Sequence, residues 1–240
     1  MLFRSVLANQ ATFARLRADL PAAERLLDEA AEEFARVGDV RGAAAVLVRR
    51  GHLALALGTP DRARLHFEAA LDIRRAMADR RGVGIALSGL ALACIVGGEH
   101  DLAAKHLHEA RDLFRRAGDR WGLVSALWRT ADLAVARGEL DQAQAALADA
   151  RAAVAETGRA NWIETTVAMQ AEVARLRGEQ GRAEALLAQL GDGGLAPPAG
   201  RRSGPIVSPV QRARPGVQSR RKASSRTTGD DTTTKKRRQT

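Results

Sequence analysis

The side chains able to do chemistry here do not gather into a reaction centre. The histidines are His52, His66, His100, His106 and His108. His106 and His108 stand two apart, and on a helix that spacing sends them to different faces, so they form no metal pair. Cys94 is the one cysteine, set among Ala93, Ile95 and Val96. It has no mate for an internal disulfide, and its apolar setting predicts a packed thiol rather than an activated one. Carboxylates are plentiful but fall at expected helix starts and on polar faces. The chain holds no G-x-x-x-x-G-K-[ST] phosphate loop, no G-x-G-x-x-G after a strand, no serine elbow and no kinase signature. These residues predict no catalysis, no cofactor and no bound metal.

The elements that carry those side chains are announced by glycine. Gly38, Gly58, Gly98, Gly118, Gly138, Gly158 and Gly178 recur every twenty residues, with Ala78 on the missing rung. With 22 Gly in 240 residues, chance would place fewer than one on those rungs. A fixed period of this kind marks a repeat architecture. The ladder alternates two kinds of helical segment, so the true unit is forty residues. The A segments are 41–57, 81–97, 121–137 and 161–177. The B segments are 59–77, 99–117, 139–157 and 179–190, and an earlier pair falls near 2–17 and 19–37. Glycine at each rung suits the left-handed end of a helix. The acid that usually follows (Asp39, Asp79, Glu99, Asp119, Glu139, Glu179) suits a cap or opposes the next helix dipole. Thr59 with Pro60 is expected to cap in the same way through its hydroxyl. Arg159 breaks the pattern.

Within the B segments an alanine (Ala23, Ala63, Ala103, Ala143, Ala183) is followed by a large residue (Leu27, Phe67, Leu107, Leu147, Leu187) and then Ala30, Ala70, Ala110, Ala150 or Leu190. In the A segments Leu47, Leu87, Leu127 and Val167 precede Gly51, Ala91, Ala131 and Ala171, then Ala54, Cys94, Ala134 and Ala174. Each set lies on one helical face, small residues admitting a close neighbour and large ones filling the space between. This order resembles the tetratricopeptide repeat (TPR). The forty-residue unit, with Gly-Asp-x-x-Gly before the A segment (Gly38, Asp39 and Gly42; Gly118, Asp119 and Gly122), is similar to the MalT-like variant of bacterial transcriptional regulators of the LuxR and SARP type. The resemblance implies an all-α, right-handed superhelical solenoid of antiparallel helix pairs, about five forty-residue repeats across residues 1–190.

In TPR folds the A helices line a concave groove. Carried over by position, that groove would show Arg49, His52, Leu92, Ile95, Trp128, Arg129, Asp132, Glu172 and Arg175. The mixture suits a protein or peptide ligand, with Trp128 as anchor and charges beside it. Trp121 and Trp162 read as packing between repeats. The expected function is a protein- or peptide-binding scaffold, the interaction or sensor region of a bacterial transcriptional regulator or a fragment of one. The alternative is a small-molecule effector held inside the superhelix.

Charge divides the chain in two. Residues 1–190 hold 26 Lys+Arg against 25 Asp+Glu, whereas 191–240 hold 12 against 3. The second segment also has five of the seven prolines and no aromatic residue. That composition predicts a disordered basic tail. Its runs at Arg220, Arg221 and Lys222 and from Lys235 to Arg238 could hold nucleic acid only weakly, without aromatics to stack bases. The longest unbroken apolar run, residues 90–96, is far short of the ~20 residues that a bilayer requires. No membrane contact and a cytoplasmic location are therefore expected. Leu2, Phe3, Leu186, Leu187 and Leu190 have no cap in sequence, so self-association through uncapped ends is a further expectation.

Overall fold

A computed structural model describes residues 2–155 and 159–191. The Gly158 rung and the basic segment beyond residue 191 lie outside the described residues. Within them the chain forms ten helices and no strand: α1 (Leu2–Leu16), α2 (Leu20–Arg36), α3 (Val40–Ala56), α4 (Pro60–Ala76), α5 (Arg80–Gly97), α6 (His100–Arg116), α7 (Arg120–Arg137), α8 (Leu140–Ala155), α9 (Ala160–Leu176) and α10 (Gln180–Gly191). Odd-numbered helices are the A segments and even-numbered ones the B segments.

Each described turn between helices, the one before α9 lying outside, reverses the chain through one left-handed residue. Gly38, Gly58, Gly98, Gly118, Gly138 and Gly178 have φ between 63° and 81°. Ala18 and Ala78 hold the same region at 63° and 52°, so the ladder has a rung at Ala18 as well. The residue after the rung donates back into the finished helix, as from the Asp39 amide to the Phe34 carbonyl (3.0 Å) and from Glu99 to Cys94 (2.8 Å).

Aspartate and glutamate then diverge. Asp19, Asp39, Asp79 and Asp119 each accept from the amide three residues on, at 2.9–3.1 Å. Glu99 occupies the same place before α6 but makes no cap bond. Its longer side chain reaches outward and pairs with Arg64. Thr59 corrects the sequence expectation too: its hydroxyl donates backward to the Ala54 carbonyl (3.0 Å) and leaves the start of α4 uncapped.

The Ala–large–Ala face of the B helices is the buried one. Ala23, Ala63, Ala103 and Ala143 are fully buried, and so are Phe67 and Leu147. Glycines in the odd helices make room for the large side chains. A Cβ at Gly51 or Gly89 would lie 2.6 or 2.4 Å from the Phe67 ring. Gly42 meets Phe34 and Gly122 meets Phe114 in the same way, at 2.1 and 2.2 Å. Where Arg74 replaces the phenylalanine, its guanidinium bonds Asp79 (2.7 Å) and the Arg41 carbonyl (3.2 Å) beside Gly82. The last repeat inverts the sizes, with Val154 in the phenylalanine register and Trp162 in the glycine register. It departs again at α10, where Leu186 is buried and Leu187 is 51% exposed. In earlier repeats the next A helix covers that position, and among the described residues only α9 packs on α10.

Every helix packs on its successor, and α1 also packs on α3, α3 on α5 and α5 on α7. The even helices do not approach one another in this way. The A layer is therefore the tighter one, and the stack curves with the A helices inside. At its centre α5 is, by length and composition, apolar enough to cross a membrane. That qualifies the expectation drawn from the short run at 90–96. Here α5 is a core helix, two-thirds buried between its neighbours.

Candidate functional site on the inner helix face

The odd helices bring their inward side chains into one strip, and its occupants differ from repeat to repeat. On α3, Arg49 donates to the Asn9 side chain (3.0 Å) and to the Ala45 carbonyl (3.2 Å). One turn on, His52 stands edge-on to the Phe67 ring at 5.2 Å. Facing them from α1 are Thr12 and Arg15. These four side chains, with Ala11, Ala23, Leu27 and Leu53, line a cleft of ≈ 50 Å³. Neither Thr12 nor Arg15 belonged to the predicted groove. Arg15 occupies a register that Leu55, Ile95 and Val135 fill in the next three repeats and Arg175 in the last. The shared register with Arg175 and Ile95, both in the predicted groove, was the available signal.

The middle of the strip corrects the sequence expectation. Leu92 and Ile95 are 3% and 2% exposed and belong to the core between helices. They form a floor and cannot meet a ligand as surface anchors. Tight packing of α5 against α3 and α7 is the reason, since it closes the gap those side chains would otherwise face.

On α7, Arg129 reaches the buried Asp132 at 2.9 Å. Burial pushes the Asp132 carboxyl up, and the guanidinium opposes that shift. Trp128 is half-buried and tied down: its indole N–H donates to the hydroxyl of the fully buried Thr166 at 3.0 Å. Trp121 stacks on Trp162 with centroids 4.1 Å apart and meets Trp128 edge-on at 5.8 Å. Arg159 covers the outer Trp162 face at 4.9 Å. This cluster joins α7 to α9, whose backbones do not approach as the other odd helices do. Trp121, rather than Trp128, is its exposed member. At the end of the strip, Glu172 and the exposed Arg175 form a two-pronged pair at 2.7 and 2.9 Å.

Electrostatics shows which of these groups stand together. Burial, followed by the charges of Arg129, Arg15 and Arg49, pushes His52 down to about 3. Arg15 is lowered by burial and by Arg129. Burial alone lowers Arg49. So α1, α3 and α7 present cations to one another across the curve of the stack. The sequence placed Arg49, His52 and Arg129 in one groove; the curvature makes them, with Arg15, one electrostatic group. Cys94 is buried, and burial pushes its thiol up, away from the nucleophilic thiolate. Among the described residues, no three His, Cys, Asp or Glu side chains stand where they could hold a metal ion.

No protein-family model and no curated protein matches the chain. Solved structures do. BtubC (BKLC) from P. vanneervenii is 19% identical, with 80% of this chain aligned to 81% of that one at a TM-score of 0.60. A Rap protein complexed with competence and sporulation factor gives 0.68 at 14% identity, over 76% of this chain and 51% of its own. A kinesin light chain from Podosopora anserina with nearly identical TPR-like repeats gives 0.55 at 17%, over 80% and 96%. At these identities the likeness is one of fold. The chain folds as a TPR-like helical solenoid.

Proposed function

We propose that this chain is a non-catalytic scaffold that holds a protein or peptide segment along the inner face of its odd-numbered helices. One observation carries the reading: polar side chains recur in one register of that face, at Thr12, His52, Asp132 and Glu172, with the buried Leu92 as the apolar floor between them, giving a strip rather than a bowl. The cleft on that face, between α1 and α3, measures ≈ 50 Å³. Sites for drug-sized molecules run to about 300–1,000 Å³. An extended chain with side-chain anchors suits such a strip better than a compact effector. The fold neighbour complexed with competence and sporulation factor supports the same reading by analogy.

A peptide selected from a displayed library against the chain tests it. Its titration should move backbone amide resonances of α3, α7 and α9. Shifts confined to even-numbered helices would overturn the proposal.

The finer reading places this scaffold in the cytoplasm as the interaction or sensor region of a bacterial transcriptional regulator. Its support is the forty-residue unit, with Asp39, Asp79 and Asp119 capping onto Gly42, Gly82 and Gly122. An adjoining reading frame that encodes a nucleotide-hydrolysing module would sustain it, and promoter occupancy unchanged by loss of this chain would count against it.

A further inference from the structure

Most arginines that cross a helix interface here find a carboxylate. Arg50 meets Asp28, Arg81 meets Asp119 and Arg137 meets Asp101, each at 2.6 Å. Arg15 and Arg49 do not. Both are half-buried on the inner face, and no acid lies against either among the described residues. Arg49 spends two nitrogens on neutral oxygens, and its Nε is buried without any partner. Removing a cation from water without a counter-charge is costly, so such groups are normally paired. Two of them share one cleft with the Thr12 hydroxyl and the His52 ring.

We propose that this cleft between α1 and α3 is an anion pocket that receives a carboxylate of an acidic peptide lying along the inner face. The proposal rests on the peptide-binding reading above. Guanidinium groups recognise carboxylate through charge-assisted, often two-pronged bonds. The Thr12 hydroxyl beside them donates to the Ala8 carbonyl at 3.3 Å and would have to turn from it to add a donor. The ≈ 50 Å³ volume suits one such group and excludes a ring system. Further along the strip the cations are already used, Arg129 by Asp132 and Arg175 by Glu172. Beyond the pocket, a polyphosphate strand would find both of these arginines paired and would meet their two carboxylates. A peptide with one acidic anchor matches that layout. The chain's own basic segment, with 12 Lys+Arg against 3 acids in residues 191–240, has the wrong sign to occupy the pocket.

The test uses the full chain. Arginine Nε–Hε resonances are followed during titration with glutarate, with inorganic phosphate and with chloride at matched ionic strength. Saturable shifts of Arg15 and Arg49 with glutarate, absent with chloride, are expected. Short peptides matched except for charge are then compared by fluorescence anisotropy. Acidic ones should bind about tenfold tighter than neutral ones, and Arg15→Gln or Arg49→Gln should remove that advantage, with Arg49→Lys restoring part of it. Circular dichroism checks that each variant is folded. Unmoved arginine resonances overturn the pocket. Peptide binding that ignores charge and survives both substitutions also overturns it, while leaving the scaffold reading intact. Glutarate shifts without binding of any peptide sustain the pocket and sink the scaffold reading. Tighter binding of a single-stranded DNA oligonucleotide than of acidic peptides overturns the choice of ligand.

Discussion

One methyl group sets the strain in two of the turns. Ala18 and Ala78 hold a left-handed conformation in which a Cβ crowds the backbone. Ala78→Gly removes that clash but adds entropy to the unfolded chain. The balance should favour the folded state by roughly 0.5–1 kcal/mol, read from the urea midpoint; a lowered midpoint would contradict the turn geometry. His52 offers a pH signature. Its folded-state pKa, near 3, lies below the ordinary 6.5. The unfolded chain therefore binds the extra proton first, so stability is complete above about pH 6.5 and falls as pH drops toward 3. Burial first, then the charges of Arg129, Arg15 and Arg49, sustain the shift, while the raised Asp132 acts in the opposite sense at the acid end. The informative quantity is thus the difference between the wild type and His52→Gln, whose stability profile should be flatter across that range. Arg74 shows the limit of reading single residues. A charge in a phenylalanine register looks like an error in sequence, and only the folded neighbours Asp79 and Arg41 explain it.

Helices were the most legible level. The segments inferred from glycine spacing match the ten observed helices to within a residue or two, because helix ends are fixed by local contacts. The packing partners were less legible. The small-residue pattern identified the buried face and Gly51, but not Gly89, which receives the other side of Phe67. Gly89→Ala should cost roughly 1–3 kcal/mol, since Phe67 is held on both sides and has nowhere to move; thermal unfolding measures this, and a neutral result would show that the ring can yield. The α7–α9 contact follows a different rule, with indoles in place of close backbones. Trp128→Ala should therefore destabilise the fold by roughly 2–4 kcal/mol, mostly by loosening α9 and α10. Hydrogen exchange by mass spectrometry would show faster exchange in those two helices, whereas an unchanged pattern would return Trp128 to the role of a free anchor.

At the scale of the molecule, two faces stand out by comparison with their own repeats. Val6 and Phe13 are 43% and 64% exposed, while Val46 and Leu53, one period on, are 1% and 4%. Leu187 is 51% exposed where Leu147 is fully buried. Both faces are of the kind that neighbouring repeats cover within the stack. Reversible association that rises with concentration is expected in light scattering, and it should weaken in Phe13→Ser and in Leu187→Ser. A monomer at every concentration would count against it.

The sequence by itself determined the period, the turns, the helix limits and the buried face of each B helix. These follow from interactions a few residues long: a left-handed glycine, an aspartate reaching the third amide, and apolar spacing on a 3.6-residue helix. The candidate site depended on more. Leu92 and Ile95 became floor, Trp128 became a tie to Thr166, and Arg15 joined Arg49, His52 and Arg129. Those outcomes depend on curvature, which is the sum of small rotations at successive interfaces and is written in no single repeat. Only the assembled stack brings α1, α3 and α7 around one space and leaves two of its cations without a counter-charge.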